Sequence, residues 1–307
     1  MIRWTAAGAV PTPTTVQIRV QRSYPGRIRA GAPVPTRSMS REELLENLRY
    51  FTEGLNGPRT QPCTGLVLSG VGVASRPDIP EAITAARNLG IDWIVLHVGG
   101  EDLGDLEPAR FVGLVDTLVT PVQPETGALV NVCEVITQAR AQGLRVAANT
   151  VLTANALPAL ARAARPLAKA APDTMTFTYP FPINGNEATS APNPGRAMSA
   201  LRPALATLDR ANVEVQIKGL PACHLGPDAH RLGRTSNRYY VDADHQRGQA
   251  LVFFPDVVRF HKDDACRFCS LDEVCDGFFS TYLRRPGFPP LSPVDPEDGE
   301  ASADQVS

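Results

Sequence analysis

Seven short apolar runs alternate with helix-like stretches along this chain, and that alternation limits its folds more than any other feature. The runs are Val16–Val20, Leu66–Leu68, Asp92–Val98, Asp116–Thr120, Leu144–Thr150, Thr174–Tyr179 and Val213–Lys218. A first helix is expected at Ser40, where Ser40-Arg41-Glu42-Glu43 fits a capping box ahead of Leu44, Leu45 and Leu48. A second is expected after Asp78 as its cap, with Glu81 three residues on and Gly90 as its stop. Four more fall near Leu106–Leu114, Ala128–Gln142, Leu157–Ala170 and Ala197–Ala211, with apolar residues three and four apart. Strands alternating with such helices predict an α/β fold of parallel βαβ units. The strand cores IVLHV, RVAANTV and TMTFTY are apolar enough to be covered on both faces or to line a barrel. Periodicity alone does not choose between an open doubly wound sheet and a complete or partial barrel. In both, ligands belong at the C-terminal ends of the strands, which singles out the loops after Val20, Leu68, Val98, Thr150, Tyr179 and Lys218.

With 307 residues and 43% hydrophobic content the chain can bury one large core or two modest ones. No apolar run approaches the roughly 20 residues that cross a bilayer, and Met1–Thr15 lacks an apolar signal core, so a cytoplasmic location with no membrane partner is expected. A net charge of −2 with Lys and Arg scattered among acids offers no stripe for a phosphate backbone, so nucleic acid is not an expected partner. Residues 1–15 and the Pro/Asp/Glu/Ser-rich 289–307 read as tails, the second disordered.

The strongest chemical signal follows the last apolar run. Cys223 sits in KGLPACHLG, and KDDACRFCSLDEVCDGFF places Cys266, Cys269 and Cys275 as C-x2-C-x5-C. Two thiols two residues apart can address one metal from a single turn, a third can close from the next turn, and Cys223 supplies a fourth. Four thiolates suit zinc or an iron–sulfur cluster. A disulfide framework is disfavoured in a cytoplasmic chain of this size, and the tight triplet argues against unrelated free thiols. Cys63 and Cys133 are isolated and read as packing residues.

From roughly Val16 to Tyr282 the chain resembles radical S-adenosylmethionine proteins with a C-terminal auxiliary cluster. VLSGVGVASRPDIPEAITAARNLGI is similar to that family's second strand, Gly-rich turn and helix, VAANTVLTANALPAL to its fifth unit and FTYPFPINGN to its sixth. ACRFCSLDEVCDGFFSTYL is similar to tails that hold a single auxiliary cluster. The resemblance implies a partial (β/α)6-type barrel of parallel strands over 16–220 and a cysteine-bearing extension over 221–288. It also favours iron over zinc, with one [4Fe–4S] cluster on Cys223, Cys266, Cys269 and Cys275.

Two departures separate the chain from that family. The family's C-x3-C-x2-C after strand one, which cages the radical-generating cluster, falls on Tyr24, Ile28 and Gly31, none a thiolate donor. Its Gly-Gly-Glu-Pro turn after strand two aligns with Gly70-Val71-Gly72-Val73, where the glutamate is missing and two valines add bulk. S-adenosylmethionine is therefore not an expected cofactor, and Gly70 and Gly72 read as a plain strand-to-helix turn.

His97, Glu101, Asn149 and Tyr179 are candidates to line a pocket at the strand ends, with Asp102, Asn184 and Asn186 nearby. Each has a plainer role in a core, a cap or a turn. The sequence shows no nucleophile triad and no phosphate-binding G-x-x-x-x-G-K-[ST] loop. The expectation is a pseudoenzyme partner subunit that presents a substrate, such as a peptide, to an active radical S-adenosylmethionine enzyme or relays electrons to it. The alternatives are an enzyme with a repurposed barrel mouth and a zinc-stapled barrel.

Overall fold

All seven apolar runs become strands of one sheet: β1 (Thr15–Arg19), β2 (Gly65–Ser69), β3 (Trp93–His97), β4 (Thr117–Pro121), β5 (Val146–Val151), β6 (Thr174–Thr178) and β7 (Glu214–Lys218). The structure, a computed structural model, describes residues 2–3, 9–10, 13–23, 35–53, 61–182, 191–234, 236–252, 259–285 and 287–294. These seven strands lie side by side in chain order and run parallel. A strand order that never reverses has no switch point, so right-handed crossovers place the helices on one face and the sheet curls into a partial barrel. The barrel is not closed. Beyond β1 the sheet continues into β8 (Tyr239–Val241), parallel to β1, and β9 (Leu251–Val252), antiparallel to β8. The extension expected from residue 221 thus corrects in part, because its middle returns to the first edge of the same sheet.

Five of the six expected helices form: α1 (Arg41–Thr52), α2 (Ile79–Asn88), α3 (Leu129–Ala141), α4 (Leu160–Ala170) and α5 (Pro194–Asp209). The stretch at Leu106–Leu114 does not. It holds only a 3-10 turn over Pro108–Phe111, because Gly104, Pro108 and Gly113, the last at φ +74°, interrupt any longer helix. Ser40 caps α1 as the sequence predicts: its hydroxyl accepts from Glu43 N at 3.2 Å and Glu43 accepts back from Ser40 N at 2.8 Å. Asp78 makes no such bond at α2, since its carboxylate is engaged by the Arg76 guanidinium at 2.5 and 2.9 Å.

Burial alternates along the strands. Val16, Ile18, Leu66, Leu68, Leu118, Val146, Met175 and Ile217 are buried and join one core with Leu44, Leu48, Ile83, Leu167 and Leu201 of the helices. The positions between them, including Gln17, Arg19, Asn149, Thr176, Gln216 and Lys218, are only part-buried. One face of the sheet is thus sealed by helices, and the opposite, concave face is polar. Gly70 is required where it stands: at φ +126° it brings the chain so near β1 that a Cβ would lie 2.7 Å from Gln21 O. Val73 of the same turn is fully buried.

At the ends, Ile2–Arg3 pairs antiparallel with Ala9–Val10. Residues 289–294 pack on the body, with Leu291 buried and Ser270 N donating to Val294 O at 3.2 Å, so the expectation of a tail from residue 289 is corrected for these six residues. Among the described residues no helix is long and apolar enough to cross a membrane.

If the two faces differ as described, Ile18→Ala should cost about 2–5 kcal/mol of stability in urea unfolding. Thr176→Ala on the concave face should stay within about 0.5 kcal/mol of the parent.

Candidate metal centre and barrel mouth

Four of the six cysteines come together. Past β7 the chain turns through Gly219, at φ +81°, into the short helix α6 (Ala222–Leu225), which carries Cys223. Cys266 lies in a 3-10 turn over Asp264–Phe268, Cys269 N donates to Cys266 O at 2.9 Å, and Cys275 N donates to Leu271 O at 2.9 Å. An antiparallel pair, Phe260–His261 with Phe278–Phe279, closes the base of this segment. Its aromatic rings anchor it to the barrel: Phe278 and Tyr282 each stand 5.6 Å from Tyr179, and Tyr282 stacks on Phe288 at 5.4 Å.

Cys223, Cys266, Cys269 and Cys275 all line one cavity, with Lys262 and Asp272 on its wall. All six cysteines are free thiols. Backbone N–H groups point at the sulfurs: Ala222 and Gly277 donate to Cys275 Sγ at 3.4 and 3.3 Å, and Val294 donates to Cys269 Sγ at 3.3 Å. Burial raises the pKa of Cys223, Cys266 and Cys275, and the surrounding N–H donors pull each of them back. Lys262, nearly buried, adds a positive charge that favours the Cys275 thiolate, and its ammonium donates to Asp272 O and, at 2.9 Å, to Asp272 Oδ1. Among the described residues, no three His, Cys, Asp or Glu side chains are placed to hold a single metal ion. Cys63 is buried and its thiol is pushed up to about 12 by that burial, while Cys133 lies half-buried in α3, as expected of packing residues.

The candidate pocket residues separate. His97 closes β3 on the concave face, and across β2 its register continues through Ser69 to Arg19 on β1. Burial lowers its pKa to about 4, with further contributions from Arg238 and Arg19. Asn149 is on the same face and accepts from Thr178 Oγ1 at 2.9 Å. Tyr179 is not a pocket residue: it is fully buried, and its hydroxyl donates to Pro192 O among the aromatic rings of the C-terminal segment. Glu101 is exposed and folds back over Gly99, where a Cβ would lie 2.1 Å from its carboxylate. Asp102 is buried, with Gly99 N donating to Oδ2 at 2.9 Å and Ser75 Oγ donating to Oδ1 at 3.3 Å, which makes it a structural cap. Tyr24, Ile28, Gly31, Asn184 and Asn186 lie outside the described residues.

Sequence reasoning passed over the cations of the mouth. Arg19 Nη1 donates to Tyr240 Oη at 3.3 Å, Arg238 acts on both His97 and Lys218, and Lys218 closes β7. The signal was present: strands β1 and β7 share the pattern Val-Gln-Ile followed by a cation, Arg19 in one and Lys218 in the other.

No family model and no curated protein sequence matches the chain. Among solved structures it is similar to Streptococcus suis SuiB bound to S-adenosylmethionine, with a TM-score of 0.54, 11% identity, and 90% of this chain covering 75% of that one. It is also similar to SuiB bound to its precursor peptide SuiA, with a TM-score of 0.50, 10% identity, and 76% of this chain covering 58% of that one. At such identities the likeness is one of fold, and the fold is radical S-adenosylmethionine-like.

The low pKa of His97 has a definite sign in the stability profile. The folded state binds its proton less readily than the unfolded chain, so this contribution is complete above about pH 6.5 and is lost as the pH falls towards 4. The His97 ring should titrate near 4 by NMR, and His97→Gln should flatten the loss of stability between those pH values.

Proposed function

We propose that this chain is a radical S-adenosylmethionine-like pseudoenzyme that holds one auxiliary [4Fe–4S] cluster on Cys223, Cys266, Cys269 and Cys275. It works in the cytoplasm beside an active radical enzyme, presenting a peptide substrate or relaying electrons. The observation that carries this reading is the shared cavity: four thiols from segments over forty residues apart in sequence face one space, with backbone N–H donors already directed at two of the sulfurs.

The donor set fits a cluster. Four thiolates lining one cavity suit either zinc or a cluster, and the likeness of ACRFCSLDEVCDGFFSTYL to single-auxiliary-cluster tails is what favours iron. When bound, such a cluster supplies one-electron transfer. The chain's own part is to hold the thiolates, to stabilise their negative charge through N–H···S bonds and the Lys262 ammonium, and to limit water through Leu291 and the aromatic rings.

The sequence supplies no thiolate at Tyr24, Ile28 or Gly31 for a second, radical-generating cluster. Support for a peptide as the partner's substrate comes from SuiB, whose fold this chain shares and which has been crystallised with its precursor peptide.

Anaerobically purified protein should contain about four irons and about four sulfides per chain. Zinc without iron would overturn the cluster, and cleavage of S-adenosylmethionine by the chain alone would overturn the pseudoenzyme. Cys269→Ser should lose metal and melt at a lower temperature, because metal binding here ties α6 to the C-terminal segment and so contributes to folding. Full loss of metal with unchanged melting would refute that coupling.

A further inference from the structure

We propose that residues 287–294 form a strap across the four-cysteine cavity, and that its backbone N–H groups at Ser292 and Val294 set how readily the centre takes up an electron. The inference rests on the cluster reading above and names the part of the chain that tunes that cluster.

The strap is tied at both ends. Asn193 Nδ2 donates to Gly287 O at 3.0 Å at its start, and Ser270 N and Oγ both donate to Val294 O at 3.2 Å at its finish. Between these ties Phe288 stacks on Tyr282 at 5.4 Å, His224 Nε2 donates to Pro290 O at 3.1 Å, and Leu291 is buried. Leu291 and Ser292 line the cavity with the thiols. His224 follows Cys223 and Ser270 follows Cys269, so the strap joins the two cysteine-bearing segments directly.

Its sequence, GFPPLSPV, contains no Cys, His, Asp or Glu, so it brings no ligand of its own. What it brings is backbone. Pro289, Pro290 and Pro293 lack an N–H, and each presses the residue before it towards an extended conformation. From 289 to 294 only Leu291, Ser292 and Val294 carry a backbone donor, and two of these three serve sulfur. Val294 N donates to Cys269 Sγ at 3.3 Å, and the Ser292 backbone hydrogen-bonds the Cys223 thiol. In an extended chain N–H groups two residues apart point the same way. Pro293, between them, has no donor to leave unpaired.

Four thiolates in one cavity gather negative charge, and an electron adds one more. Hydrogen bonds to the sulfurs favour the more negative state and so raise the reduction potential. Cys275 has its own donors in Ala222 and Gly277, whereas Cys223 and Cys269 draw theirs from the strap. A segment that served only as a cover would need the bulk of Leu291 and no aligned N–H groups.

Full-length variants separate donor from cover. Val294→Pro deletes the donor to Cys269 yet keeps the carbonyl that Ser270 holds, and Val294→Ala keeps both. Each protein, loaded with iron and sulfide, is titrated with dithionite as the external one-electron donor while EPR reads the reduced fraction. We expect the midpoint potential of Val294→Pro to be more negative than the parent's, Ser292→Pro to move the same way, and Val294→Ala to match the parent. Parent potentials in both proline variants, or an equal shift in Val294→Ala, would overturn the proposal. Hydrogen exchange in the parent decides it should the proline variants fail to fold. Three prolines leave few amides in the strap, so mass spectrometry of one peptide reads Ser292 and Val294. Their exchange should be about tenfold or more slower in loaded than in metal-stripped protein, as a hydrogen bond to a charged sulfur requires. Equal exchange would overturn the strap. Protein that binds zinc and no iron would overturn the cluster reading and the redox tuning with it, and slowed exchange in that zinc-loaded protein would show that the strap itself was read correctly.

Discussion

Burial of a single face of the sheet governs the rest of the molecule. Because β1 to β7 follow chain order without reversal, right-handed crossovers put their helices on one side, and the apolar residues of each strand must point there. Val16, Ile18, Leu66, Leu68, Val146 and Ile217 satisfy that demand almost completely. At about 25 cal/mol for each Å² of apolar surface removed from water, this face supplies the main driving force for the domain. The other face is then released from packing. Its side chains can be polar at little cost, since they meet solvent and one another rather than a helix.

The same geometry explains what could be read in advance. Runs such as Ile94–Leu96 are apolar enough to mark a strand, and the helices declare themselves through caps and periodicity at Ser40–Leu48 and Leu160–Ala170. The seven strands of the βα units and their alternation with helices were therefore legible, whereas β8, a three-residue strand that joins β1 in parallel from far along the chain, was not. The polar concave face was hidden, because a strand read as an apolar core conceals that Gln17, Thr176 and Gln216 all fall on one side. The helix between β3 and β4 failed for a local reason: its apolar residues have the right spacing, but glycines and Pro108 leave no uninterrupted turn to propagate. Asp78 looked like a cap, yet a nearby guanidinium competes more strongly for its carboxylate than a backbone N–H does.

At the candidate metal centre the sequence was a better guide, since C-x2-C-x5-C is local and needs only a short turn to converge. What it could not show is how Cys223 meets the triplet. That depends on the rings of Phe278 and Tyr282 packing against Tyr179, and on Phe279 packing against Tyr282 and beside Gly219 of the β7 turn. Tyr179, read as a pocket residue because it follows a strand end, is instead part of this anchor. Residues 289–294 complete the wall for a related reason: Leu291 has an apolar surface to cover, and Val294 N finds a sulfur to bond.

The two faces also explain how a fold can keep its shape while its chemistry changes. Substitutions at the ends of the strands on the concave side touch little of the core, so the positions of Arg19, His97 and Lys218 can carry new charges without removing the burial that holds β1, β3 and β7 in register. The turn after β2 follows the same logic. Gly70 is held by its positive φ and by close approach to Gln21, and Val73 fills the core, so the backbone path is set by packing rather than by any ligand. The turn's path is therefore fixed by the core it covers, just as the cysteine cavity is held by the aromatic anchor and by the backbone N–H donors directed at Cys269 and Cys275.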